Sequence, residues 1–305
     1  MYIQLHHAYS FCQRGRRDYQ EDGRYPDCNE APQSQRFFVV CDGVGGSEKG
    51  EVASKTVCEA MGKAMSGINY DVDFTNDDFL HVLDAAYNAL DKAVNDDNRD
   101  MGTTMTFICF HSGGCTMAHI GDSRIYQIRP SVGILYRSDD HSLVNSLVHN
   151  GMVSPDEAEH HPQRNVITRY MESVESDQNR CMATVMRTTD VQAGDYFLLC
   201  TDGVLHQVTD DEIVNLLISN ITDKDIVRTL AEKSQDSEDN NTAWLVSIAS
   251  VISDDETDEE PLTEDTSSTK RLLLKTRQLD EIESVQPKLT VLRGWVNKFF
   301  KTIKQ

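Results

Sequence analysis

Four aspartates stand at the edges of apolar runs, a pattern suited to holding hard cations. Phe37-Phe38-Val39-Val40-Cys41 runs into Asp42-Gly43, Met117 to Gly121 into Asp122, and Tyr196 to Thr201 into Asp202-Gly203, while Asp239 comes just before Trp244-Leu245-Val246. Short β-rich runs bounded by Gly and Asp read as buried strands. The acids therefore fall at strand ends, where a sheet can gather them. Mg²⁺ and Mn²⁺ prefer carboxylate, carbonyl and water oxygens, and no Cys or His cluster here offers a softer site.

The elements that must position these acids show in the pattern. Helices are expected over 51–65, 77–95, 142–150 and 210–219. The last is announced by Thr209-Asp210-Asp211-Glu212, where the Thr hydroxyl and the Glu carboxylate can cap exposed amides. His111-Ser112-Gly113-Gly114 reads as a hairpin turn between strands 103–110 and 115–120. Residues 1–252 read as one unit of short strands and a few helices, with no internal repeat.

At 305 residues and 39% hydrophobic, the chain has enough apolar side chains for a substantial core. Its net charge of -21 argues against nucleic acid as a partner. The eight cysteines are scattered, several within apolar runs, and form no CxxC pair. They read as reduced, buried thiols. Neither a secretory signal nor a bilayer-spanning run is visible, so a cytoplasmic protein, acting as a monomer, is expected.

Composition changes sharply after Ile252. Residues 253–270 carry eight acids and one base, and read as a disordered acidic linker. Residues 271–305 reverse this, with eight bases against three acids. Val291, Leu292, Trp295, Val296, Phe299 and Ile303 fall on one helical face of that segment. Such a basic amphipathic tail can lie on an anionic membrane or scaffold, or fold back onto the acidic remainder of the chain.

In order along the chain come Arg17-Asp18-Tyr19-Gln20-Glu21-Asp22, Asp42-Gly43-Val44-Gly45-Gly46, Gly102-Thr103-Thr104, Gly121-Asp122-Ser123-Arg124, Asp140-His141-Ser142, Asn165-Val166-Ile167-Thr168-Arg169, Thr201-Asp202-Gly203 and Asp239-Asn240-Asn241-Thr242. Each has an ordinary reading alone: Asp-Gly as a turn, Arg124 or Arg169 as a surface ion pair, Asp139 to Ser142 as a helix cap, His160-His161 as solvent-exposed. Together the ordered set closely resembles the metal-dependent serine/threonine protein phosphatase family, the 2C class, in its bacterial branch. The resemblance spans essentially all of residues 1–252.

It implies an α+β fold, a four-layer α-β-β-α sandwich with two central, mainly antiparallel sheets. It also implies hydrolysis of phosphoserine and phosphothreonine by direct attack of a hydroxide bridging two Mn²⁺ or Mg²⁺ ions. Asp42 would bridge the ions, with the Gly43 carbonyl completing one site; a glycine there lets the backbone turn and present its oxygen. Asp202 and Asp239 would bind the other ion, and Glu21 and Asp22 would bind an ion or hold its waters. Asp122, with Asp202, would serve a weaker third ion. Arg17 matches the family's phosphate-binding arginine, whose planar fork suits phosphoryl oxygens. Residues 144–164 resemble the family's flap beside the active site. The implied partners are phosphoproteins, including a cognate kinase.

Some positions depart from the family pattern. Val44 and Ser47 stand where relatives carry a histidine, so the proton for the leaving alkoxide is expected from a metal-bound water. His206 replaces an Asp or Asn, which would weaken a third site. Thr168 to Glu172 lacks the motif's closing glycine, a structural difference. Among competing readings, Cys181 to Arg187 has the count of a cysteine phosphatase loop, yet its intervening residues read as a strand. Gly43 to Gly50 lacks the Gly-Lys-Ser/Thr of a nucleotide loop. The remaining alternative is a catalytically silent module of the same fold that binds phosphoproteins.

Overall fold

Alternate residues of a strand face opposite ways, and here the apolar strands are covered on both faces. The computed structural model describes residues 1–44, 48–95, 101–173 and 180–252, and for Glu48 and Glu159 the backbone only. The expected linker over 253–270, the basic segment over 271–305 and the departure at Ser47 lie outside the described residues.

The first half contributes β1 (Tyr2–Leu5), β2 (Tyr9–Gln13), β3 (Gly23–Tyr25), β4 (Phe37–Cys41), β5 (Gly43–Val44), α1 (Glu48–Met65), α2 (Asn76–Ala93), β6 (Gly102–Thr103), β7 (Met105–His111), β8 (Gly114–Ile120), β9 (Arg124–Arg129) and β10 (Gly133–Arg137). The second adds α3 (Leu143–His149), α4 (Pro155–Glu159), β11 (Met171–Glu172), β12 (Thr184–Thr188), β13 (Tyr196–Cys200), α5 (Asp202–Leu205), α6 (Asp210–Leu217), α7 (Asp223–Ser234) and β14 (Asn241–Ile252). One sheet runs β1-β14-β13-β9-β10, with β2 on the other half of β14, and a second runs β12-β8-β7-β4-β3. Every pairing within them is antiparallel.

The layers follow from the alternation. In β4, Phe37, Val39 and Cys41 pack under Val57 and Met61 of α1 and Val82 and Leu83 of α2. Phe38 and Val40 face the other way, against Trp244, Val246, Phe197 and Leu199 of the opposite sheet. The outer face of that sheet, with Leu198, Cys200 and Leu245, is covered by Val204 of α5, Ile213 and Leu217 of α6, and Ile226 and Leu230 of α7. This is the α-β-β-α sandwich. Double-sided burial explains why these strands read as continuous apolar runs rather than alternating ones.

The expected helices form within a few residues of their expected ends, and Ser112-Gly113 turns the β7–β8 hairpin with His111 opposite Gly114. Ser142 caps α3, as the helix-cap reading has it. Three helices, α4, α5 and α7, and the β9–β10 hairpin were not expected from the sequence. α7 hides because charged residues interrupt its short apolar stripe of Ile226, Val227 and Leu230.

At α6 the Thr209 hydroxyl accepts from the Glu212 N–H at 3.3 Å, and the Glu212 carboxylate accepts from the Thr209 N–H at 3.0 Å. Glu212 also pairs with Lys233 of α7 at 2.7 Å. Thr209→Ala removes the hydroxyl half of this cap, and a loss of about 1 kcal/mol is expected from urea unfolding. An unchanged midpoint would show that the carboxylate alone holds the helix start.

Candidate active site

The strand ends bring the acids together from both sheets. Asp42 follows β4, Asp122 lies two residues beyond β8, Asp202 opens α5 directly after β13, and Asp239 precedes β14. Glu21 and Asp22 lead into β3 and are both buried. The acids sense one another. Asp42 is held well above the usual carboxylate range, first by burial and then by the charges of Asp22, Asp202, Asp122 and Asp239. Burial likewise lifts Asp22 to about 8 and Asp122 to about 7, with the charge of Asp202 adding to both. Glu21 and Asp202 are also raised by burial, Glu21 being opposed by Arg17 and Asp202 by His206.

Two glycines allow the backbones to meet. A Cβ on Gly43 would fall 2.4 Å from the Gly50 backbone of α1 and 2.6 Å from the Glu21 carbonyl oxygen. A Cβ on Gly203 would fall 1.9 Å from the Asn240 carbonyl oxygen. The turn expected at Gly43 is thus a close crossing of chains, one that draws the Glu21 and Asp42 segments side by side.

Neutral groups fix several of the segments that carry the acids. The Asp42 N–H donates to Thr104 Oγ1 at 2.9 Å, and the Asp42 carbonyl accepts from the Thr104 N–H at 2.8 Å and the Thr103 hydroxyl at 2.9 Å. Thr104 and Ser123 share a hydroxyl contact of 2.7 Å, linking the Asp42 and Asp122 segments. The Thr201 hydroxyl donates to Asp22 Oδ2 at 3.0 Å and accepts from the Thr242 N–H at 3.0 Å. Asn240 is fully engaged: Oδ1 accepts from the Glu21 N–H at 2.7 Å, and Nδ2 donates to the Arg14 and Tyr19 carbonyls at 2.8 and 2.9 Å. It ties the loop bearing Arg17 to the Asp239 segment. Thr104, Thr201 and Asn240 lie inside the sequence motifs without a role assigned to them; Thr201 and Asn240 each adjoin an Asp in the chain, whereas Thr104 carries no such local signal.

Arg17 is half-exposed and donates from Nη2 to Asp239 Oδ2 at 2.7 Å. His206 Nε2 lies 3.8 Å from Asp202 Oδ2. Arg124 grips Asp140 with two hydrogen bonds of 2.7 Å, partly buried rather than on the open surface. The flap sequence forms α3 and α4, and beside it a cleft of about 310 Å³ is lined by His119, His141, His149 and Arg169. Residues 184–187 lie in β12, with Arg187 bonded to the Phe74 carbonyl, so the cysteine-phosphatase loop does not form.

Glu21 Oε1, Asp22 Oδ1, Asp122 Oδ1 and Asp202 Oδ1 are buried without a hydrogen-bond partner. Buried carboxylate oxygens left without donors are costly. A divalent cation supplies the missing positive charge, so this donor set fits Mg²⁺ or Mn²⁺. Among the described residues no three His, Cys, Asp or Glu side chains already stand close enough together to hold a metal ion.

Residues 27–248 match the family model described as Protein phosphatase 2C. The chain belongs to the protein phosphatase 2C family. Protein phosphatase PhpP of Streptococcus pneumoniae is 33% identical over 218 residues, which are 70% of this chain and 85% of that protein. Serine/threonine protein phosphatase PstP of Mycobacterium tuberculosis is 36% identical over 188 residues, 60% of this chain. The chain spans about a third of that relative's length, 34%. The crystal structure of the PstP catalytic domain in complex with two manganese ions superposes with a TM-score of 0.66 at 27% identity, covering 81% of this chain and all of that one. This family membership agrees with the four-layer sandwich.

The raised carboxylates give a pH signature. Their folded values lie above the unfolded ones, so their contribution to stability is present in acid and is lost as pH climbs from about 4 toward 8. In EDTA the melting temperature should fall between pH 5.5 and 8, while the increase produced by Mn²⁺ should grow over the same interval, because protons compete for the ligands. A Mn²⁺ effect independent of pH in differential scanning fluorimetry would contradict this account of the site.

Proposed function

We propose that the chain is a metal-dependent protein serine/threonine phosphatase, hydrolysing phosphoserine and phosphothreonine in proteins. The observation that carries the reading is that Glu21, Asp22, Asp42, Asp122, Asp202 and Asp239 stand at element ends where their charges influence one another, four of them with an unpartnered buried oxygen, and that a half-exposed arginine pairs with one of them. Asp42, the Gly43 carbonyl, Asp202 and Asp239 would hold two Mn²⁺ or Mg²⁺ ions, with Glu21 and Asp22 ligating or holding waters, and Asp122 with Asp202 serving a third. When bound, such ions would supply an acidified water and positive charge to stabilise the phosphoryl oxygens.

The chain's own groups prepare this chemistry. Arg17 offers its remaining donors to the phosphoryl group while Asp239 holds one edge of its fork. Thr201 orients Asp22, and Asn240 keeps the Arg17 loop seated. A silent binding module is disfavoured, because like charges buried together destabilise the fold and binding alone gives no reason to keep them. The substrates would be phosphoproteins, a cognate kinase among them, in a signalling role, and the chain would act as a monomer. The eight cysteines are free thiols, which supports a reducing cytoplasmic setting. No helix among the described residues is long and apolar enough to cross a membrane.

Hydrolysis of a phosphothreonine peptide should require Mn²⁺ or Mg²⁺, stop in EDTA, and fall at least about 100-fold in Asp42→Asn and Asp202→Asn. Arg17→Lys should raise KM more than it lowers kcat, because a point charge replaces a fork. Metal-independent turnover, or an active Asp42→Asn, would remove the assignment.

The charge reversal at Lys270 and the Trp295 stripe support contact of residues 271–305 with an anionic membrane surface. Vesicles containing anionic lipid should co-sediment the full chain, and not a chain ending at Ile252. Equal binding of the two would exclude this contact.

A further inference from the structure

The flap is rooted on the active-site strands through His141. The His141 N–H donates to the Gly121 carbonyl at 2.9 Å, and the Gly121 N–H donates back to His141 Nδ1 at 3.1 Å. Both polar groups of the Gly121 backbone are therefore held by one residue. Because Nδ1 accepts, Nε2 carries the ring proton and donates to Thr184 Oγ1 of β12 at 2.9 Å. The His141 carbonyl accepts from the Thr168 N–H at 2.7 Å and from the Thr168 hydroxyl at 2.9 Å, at the far end of the flap. The buried His119 ring stacks on His141 with centroids 4.5 Å apart and planes 17° apart, and is itself pinned where Nε2 donates to the Asp139 carbonyl at 2.8 Å.

Gly121 immediately precedes Asp122. Clamping its peptide fixes the backbone from which the Asp122 side chain departs. We propose that His141 is a positioning residue that couples the flap to the cation site served by Asp122, by holding Gly121 at two points while Thr168 holds His141. The inference rests on the phosphatase reading above and assigns a role that its metal-ligating acids do not describe. Movement at the flap's root is then transmitted to one carboxylate, and the weakest cation step becomes the one that senses the flap.

The two ring nitrogens separate this role from mere packing. In His141→Asn the amide oxygen can stand in for Nδ1 and still accept from Gly121. In His141→Gln the amide reaches toward Thr184, and the Gly121 contact is lost. Mn²⁺ binding to the full chain, measured by isothermal titration calorimetry, should show the weakest step weakened by about tenfold or more in His141→Gln, the loss typical of groups that support a metal ligand. His141→Asn should remain near wild type. Thr168→Val, an exposed change that removes only the hydroxyl contact, should weaken the same step by a smaller factor. Peptide hydrolysis by His141→Gln should recover as Mn²⁺ is raised.

Equal Mn²⁺ affinity in wild type, Asn and Gln variants would overturn the proposal, and so would an equal loss in both, which would mean that the ring only fills space. Should His141→Gln not fold, Thr168→Val decides: unchanged affinity there also overturns the coupling. A wild-type chain that binds no Mn²⁺ would instead remove the phosphatase reading itself.

Discussion

Like charge gathered in a confined space is the constraint on which the rest of this structure depends. Six carboxylates arrive from the ends of two sheets, and burial raises several of them well above their ordinary range. Repulsion of that kind would spread flexible loops apart. Here each acid departs from a rigid strand end or helix start, and the neighbouring hydroxyls and amides, Thr104, Ser123, Thr201 and Asn240, fix the backbone without adding charge. The double-sided core beneath supplies the rigidity, since Phe38 and Trp244 lock the two sheets together with ring centroids 5.0 Å apart.

Much of this was legible in the sequence because double-sided burial writes a strand as an uninterrupted apolar word and an acid ends it. Phe37 to Cys41 before Asp42 is the clearest example, and Thr209 with Glu212 announced a helix start that the structure reproduces. The supporting groups were harder to see. Asn240 is polar and lies next to another Asn, and nothing local indicates that its side chain spans to residues 14, 19 and 21. The sequence shows a glycine at position 43 but not that α1 crosses past the strand end against it, a tertiary fact with no local trace. α7 and the β9–β10 hairpin escaped because their apolar positions are few and their partners distant in sequence.

Two of the departures from the family pattern lie next to the acids. Val44 sits beside the central acid, and His206 faces Asp202 from one helical turn away, where it favours the charged carboxylate. An imidazole there opposes the repulsion that an Asp or Asn would leave unopposed.

The crossings at Gly43 and Gly203 bear on how such a chain can drift. Replacing a buried acid by its amide relieves repulsion and leaves the sandwich standing, whereas adding one methyl group at either glycine drives carbon into backbone. Loss of chemistry is thus a downhill walk across sequence space, while loss of the scaffold is a cliff. Descendants that have stopped catalysing should keep both glycines long after their aspartates have scattered, so a lineage's silence would be written in its acids and its ancestry in its glycines.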